Sequence, residues 1–244
     1  MNKYNGIIIS LIAGMSTLIG FFSIYIKGDK NRIISRTLSF AGGVMIMLSI
    51  IDLIPSSISS LKENYNCFIA LFYCSIFFII GFIASHLIQN IVQEQDVLSK
   101  TGIISMIGII LHNIPEGMAT YMLSSINFKL GLMLSIAIVM HNIPEGIGIS
   151  IPIYCGTGNK KKAFVYTLIS GLSEPFGAII SVIFLHKFIN LTIMGAIYSI
   201  IAGIMIYIGY FELIKISKQY GNSVKKFTLY GALFILIVEI ILKL

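Results

Sequence analysis

Eight apolar stretches run almost end to end along this chain, at residues 6–26, 37–56, 67–88, 101–125, 130–154, 162–185, 191–214 and 227–243. Each holds about 17–25 residues, which as a helix crosses the roughly 30 Å of hydrocarbon in a bilayer. The apolar residues are continuous within each stretch and do not alternate with polar ones, which argues against a spanning β-barrel. With 57% hydrophobic and 11% charged residues, the chain has too little polar surface to clothe a soluble domain. The sequence therefore predicts an all-α polytopic membrane protein, a single transmembrane domain over 1–244 with short connections.

The positions of the basic residues orient it. Twelve Lys and Arg fall in alternate connections: Lys27, Lys30, Arg32 and Arg36; Lys100; Lys160, Lys161 and Lys162; Lys215, Lys218, Lys225 and Lys226. The opposite side holds five: Lys3, Lys62, Lys129, Lys187 and Lys243. Basic residues collect on the cytoplasmic side, so both termini are expected outside the cytoplasm. The net charge of +7 thus reads as membrane orientation and not as a nucleic-acid surface. The first stretch, Gly6 to Ile26, has no small-residue cleavage pattern and is expected to be a retained span. Cys67, Cys74 and Cys155 form no CxxC pair and read as packing residues or incidental thiols.

The acids are distributed differently. Asp52, Glu116, Glu145, Glu174, Glu212 and Glu239 lie inside apolar stretches or at their ends, without basic partners in those stretches. A carboxylate in that position protonates or binds a cation, and is by default a candidate functional group. The hexapeptide His-Asn-Ile-Pro-Glu-Gly, moreover, occurs twice, at 112–117 and 141–146.

Residues three and four apart share one helix face, so His112, Asn113 and Glu116 cluster within a turn, as do His141, Asn142 and Glu145. Each histidine lies eleven residues from the start of its stretch, about 16 Å along a helix and near mid-membrane. The two stretches are neighbours joined by a short connection, so the clusters are expected to meet. Glu174, in Gly-Leu-Ser-Glu-Pro, lies twelve residues into the sixth stretch, at the same level. Pro115 and Pro144 cannot donate to the carbonyls of Leu111 and Met140, and with the following glycine are expected to loosen each helix at the cluster. Three carboxylates, two imidazoles and two amides make a borderline-hard donor set that suits zinc, and also manganese, iron(II), cobalt or cadmium.

On these motifs the chain resembles the ZIP family of divalent-metal transporters, most closely its bacterial zinc-uptake branch. The resemblance covers nearly the whole length. It implies a 3+2+3 bundle in which the first and last three helices are related by inverted symmetry. Ala41-Gly42-Gly43-Val44-Met45 against Ala202-Gly203-Ile204-Met205 is a faint trace of that relation. It also implies a binuclear centre with up to two zinc ions per protomer as transported substrate. His112, Glu116, His141 and Glu145 would hold one ion; Asn113, Glu116, Asn142, Glu145 and Glu174 would hold the other. The connection Gln89 to Lys100 lacks the histidines that the family often carries there.

Asp52 and Glu212 are candidates for the outer approach and the inner exit of an ion. His86, His186 and Glu239 read as packing or interfacial groups. Gly14, Gly20, Gly42, Gly43 and Gly203 are expected to permit close helix packing. The expected activity is divalent-metal import into the cytoplasm across a plasma membrane, in keeping with the Ile- and Lys-rich composition of a bacterial chain. The expected partners are divalent ions and the bilayer, with a homodimer possible and no nucleic acid. Two other classes compete with transport, an intramembrane metallo-hydrolase and a non-transporting metal sensor. An enzyme is disfavoured because no HExxH motif is present and shared ligands leave no open coordination position.

Overall fold

The computed structural model describes residues 4–188 and 190–243, without the side chains of 184–188 and 243, so His186 lies outside the described side chains. Among the described residues the chain is helical, with no strand. Eight helical segments follow one another: α1 (Tyr4–Tyr25), α2 (Lys30–Lys62), α3 (Cys67–Ile91), α4 (Val97–Ile126), α5 (Phe128–Thr157), α6 (Lys160–Phe188), α7 (Leu191–Ser217) and α8 (Val224–Lys243). The first seven are long and apolar enough to cross a membrane, α6 on the strength of its residues Lys160–Ile183. Helix α8 has 20 residues and carries Lys225, Lys226, Glu239 and Lys243.

Several helices begin before the apolar stretch that they contain. Asp29 caps α2 by accepting from the Arg32 backbone N–H at 2.8 Å, and Asp96 caps α4 by accepting from that of Ser99 at 2.7 Å. Asn66, Asn127, Asn159 and Asn190 do the same for α3, α5, α6 and α7. Such a side chain satisfies an N–H group that the first helical turn leaves open. Lys30, Arg32 and Arg36, expected in a connection, are therefore the first turns of α2. Hydropathy marks where the bilayer begins, whereas the cap marks where the helix begins.

The helices pack as two groups. Helices α1, α4, α5 and α6 contact one another extensively; α2 packs on α3, α7 and α8, and α3 packs on α7; the two groups meet chiefly along α2–α5 and α4–α7. Within each group the contacts are backbone to backbone at glycine. A Cβ on Gly14 would meet the Gly171 carbonyl, one on Gly146 the Thr17 carbonyl, and one on Gly117 the Glu174 carbonyl. In the second group Gly43 meets the Thr228 carbonyl and Gly203 that of Phe78. Between the groups the neighbours are side-chain tips instead. Gly148 of α5 faces Leu213, Ala41 and Met45 at 3.4–3.7 Å, and Gly108 of α4 faces Ile204 and Ile208. Small residues let helices approach closely in lipid, where hydrophobic association gives no help.

Two of the helices contain wide π turns, Ser49–Leu53 in α2 and Ile208–Ile214 in α7. Each holds one of the flanking acids, Asp52 in the first and Glu212 in the second. The turn in α2 directly precedes Pro55, which cannot donate to the ladder, so an extra residue per turn absorbs the missing bond.

Candidate metal centre

Helices α4 and α5 run antiparallel, joined by the single residue Asn127, and their two hexapeptides meet side by side. Both helices continue unbroken through Pro115 and Pro144. The glycine that follows each Pro-Glu pair packs against a neighbouring helix. Gly117 lies against the backbone of α6 at Glu174, and Gly177 of α6 lies in turn against the Ile114 carbonyl. Gly146 lies against Thr17 of α1, and Gly20 of α1 against the Ile143 carbonyl. Each hexapeptide is thereby clasped to one outer helix. The first clasp brings Glu174 to the level of Glu116.

The two imidazoles converge on one carboxylate oxygen. Glu116 Oε1 lies 3.0 Å from His141 Nε2 and 3.2 Å from His112 Nε2. His112 Nε2 is also 3.5 Å from Glu145 Oε1. The rings are tilted by 47° with centroids 5.9 Å apart, so their edges and not their faces meet. One donor atom each from His112, Glu116 and His141 lies within 4.8 Å of the other two, a group that could hold a metal ion.

Beside this trio the asparagines are oriented by acceptors only. Asn113 Nδ2 donates to the Ser170 carbonyl of α6 at 3.2 Å. Asn142 Nδ2 donates to the Ala13 carbonyl of α1 at 3.0 Å and to Glu174 Oε2 at 2.9 Å. A carbonyl or carboxylate can accept only from the amide NH2, so each Oδ1 is turned the other way. The Ala13 carbonyl is available beside the turn at Ser16 that interrupts α1, where the Ser16 hydroxyl also donates to it at 2.6 Å.

The site is buried and rich in acceptors. His112, Asn113, Asn142 and Glu174 are fully buried, while Glu116 keeps 12% of its side chain exposed. Six buried acceptor oxygens there have no hydrogen-bond donor among the described residues: Asn113 Oδ1, Glu116 Oε2, Asn142 Oδ1, both oxygens of Glu145, and Glu174 Oε1. Buried polar groups in folded proteins are nearly always paired, and an orphaned carboxylate in a low dielectric is costly. No lysine or arginine pairs with them among the described residues. A donor set of this kind complements a small cation.

The two flanking acids lie apart from the cluster. Asp52 is half-buried, within the π turn of α2. Glu212 is 3% exposed; its Oε2 accepts from the Thr101 hydroxyl at 3.3 Å, and its Oε1 is among the orphaned buried atoms. Thr101 was not singled out by sequence, yet it lies eleven residues before His112, just over three turns, and so on the same face of α4. Thr101, Ser105 and Gly108 form a small and polar stripe that leads along α4 to His112, and the hydroxyl of Ser105 is buried without a partner among the described residues. His86 is exposed, with Nδ1 3.1 Å from the Tyr207 hydroxyl. Glu239, expected at the interface, is largely covered at 9% exposure, since the inner face of α8 packs on α2 through Val44, Leu48, Ile235 and Val238.

Known proteins are similar to this chain. The profile of the family described as ZIP zinc transporter matches residues 92–238, a stretch with both hexapeptides and Glu174. The zinc transporter ZupT of Streptococcus mutans is 36% identical, over 90% of this chain and 89% of its own length. That of Campylobacter jejuni subsp. jejuni is 34% identical, over 88% of each chain. That of Escherichia coli is 33% identical, over 87% of this chain and 86% of its own.

Proposed function

Since the chain belongs to the ZIP family of zinc transporters, we propose that it moves zinc into the cytoplasm across a bacterial plasma membrane. The observation that carries this reading is the meeting of His112 Nε2, His141 Nε2 and Glu116 Oε1 in a buried cluster whose remaining oxygens lack donors among the described residues. An imidazole Nε2 facing a carboxylate needs a proton between them, and a metal takes the place of that proton. The ion is the substrate. One is held by His112, Glu116, His141 and Glu145. A second is held by the Oδ1 atoms of Asn113 and Asn142 with Glu116, Glu145 and Glu174, so the two glutamates bridge.

Asp52 gathers ions on the outer side, and the stripe Ser105 to Thr101 leads from His112 to Glu212 on the inner side. Ile204 and Ile208 fill the notch at Gly108 on that stripe. Passage therefore requires α7 and α4 to shift against one another. The side-chain contacts between the two helix groups permit such sliding, whereas the glycine clasps keep each group rigid. Alternating access by one group against the other follows.

Liposomes that contain the purified protein test this proposal. Radiolabelled zinc should accumulate inside sealed vesicles, with manganese, iron(II), cadmium and calcium as competitors that rank the site. Binding without accumulation would leave a sensor and remove the transporter. Without a pH gradient, uptake at subsaturating zinc should fall about tenfold from pH 7.5 to pH 5.5. The ligands must be deprotonated, and histidine ordinarily titrates near pH 6.5. A rate that is flat across that range would count against histidine ligation.

A further inference from the structure

The cytoplasmic end of α2, on the orientation given by the basic residues, carries a second concentration of unmatched charge that transport does not use. Arg32 and Arg36 are one turn apart on a single helix face and form a ridge between two hollows. On one side is a hollow of about 340 Å³, bounded by Ile26, Lys27, Ile33 and Thr37. On the other is one of about 410 Å³ between α2 and the link Tyr220–Ser223. Neither guanidinium has a carboxylate within ion-pair distance among the described residues. Asp29, the one acid in both hollows, already accepts from the Arg32 backbone N–H through Oδ1. Arg36 is fixed by stacking, its guanidinium 5.3 Å from the centre of the Phe227 ring, which leaves the N–H edges open.

We propose that this ridge binds the phosphate of an anionic glycerophospholipid, with an acyl chain lying along Ile26, Ile33 and Thr37. Two further features select a lipid over a free anion. Arg36 immediately precedes the apolar stretch 37–56, which puts the ridge at headgroup level. The smaller hollow combines that basic rim with the apolar side chains of Ile26 and Ile33. Arginine forks match phosphate oxygens with two N–H groups each, and basic pockets at the ends of membrane helices recognise anionic headgroups. The ridge stands in the first turns of α2, just after the link to α1, which is one of the links that join the two helix groups, so a bound lipid would brace that joint.

Native mass spectrometry of the full-length protein, released from membranes that contain equal phosphatidylglycerol and phosphatidylcholine, tests the proposal. The wild-type protein should retain the anionic lipid about tenfold over the zwitterionic one, and excess inorganic phosphate should not displace it. The Arg32→Gln/Arg36→Gln pair should lose that preference. The Lys215→Gln/Lys218→Gln pair removes the same charge from the same side but outside both hollows, and should keep it. Equal loss in both pairs would mean diffuse attraction and overturn the site. So would a wild-type protein with no preference, or displacement by inorganic phosphate, each read on the unmodified chain and independent of how the variants fold. The outcome is also independent of zinc transport.

Discussion

Replacing Glu116 with alanine should abolish zinc uptake into liposomes, lowering the initial rate by about 100-fold or more, and Glu145→Ala should do the same. Glu116 Oε1 is the one atom that both imidazoles approach, at 3.0 and 3.2 Å. Its loss leaves two buried histidines with no common partner. Changes to the shell around a metal site cost about 10–100-fold, so loss of a bridging ligand should exceed that. Stability should move the other way. Both oxygens of Glu145 are buried without a donor among the described residues, so truncating that side chain removes an uncompensated group and should leave the melting temperature unchanged or raised. Lost transport with preserved folding would identify a ligand, whereas wild-type uptake in both variants would remove the proposed centre. The conservative Glu116→Gln keeps the shape but not the charge, and should remain inactive.

Gly117→Ala should cost about 3 kcal/mol of stability, at the upper end for overpacking, and should abolish uptake as well. The new methyl would run into the Glu174 carbonyl, which belongs to backbone and cannot rotate away. Helices α4 and α6 would have to part just where Glu174 is brought level with Glu116. Gly148→Ala, on the boundary between the two helix groups, provides the contrast. Its methyl meets only side-chain atoms at 3.4–3.7 Å, an ordinary contact. That variant should melt within about 1 kcal/mol of the parent. The comparison needs only thermal unfolding followed by size-exclusion chromatography. Similar melting temperatures for the two variants would refute the assignment of Gly117 as a clasp.

Glycine also shows where sequence reading stops. The close-packing role expected of Gly14, Gly20, Gly42, Gly43 and Gly203 is what the helices display, because small residues between apolar ones have few other uses in lipid. At Gly117 and Gly146 the nearby proline suggested a loosened helix, but it gave no sign of what these glycines pack against. Proline's missing hydrogen bond is a local fact. Which backbone lies against the next residue is not local, and the partners of these two glycines are on α6 and α1, distant in sequence. The same limit explains Thr101, whose link to Glu212 crosses from α4 to α7.

The sequence alone determined the membrane-spanning class, the level at which the two hexapeptides and Glu174 lie, and the donor chemistry that they bring. Length, hydropathy and helical spacing are properties of consecutive residues, so they can be read along the chain. Only the tertiary structure decided that both histidines share a single oxygen of Glu116. It also turned each asparagine oxygen inward, by occupying the amide nitrogen with the Ser170 carbonyl for Asn113, and with the Ala13 carbonyl and Glu174 for Asn142. These depend on how helices far apart in sequence are rotated and pressed together. That arrangement is set by many small van der Waals contacts at once, and no short motif encodes it.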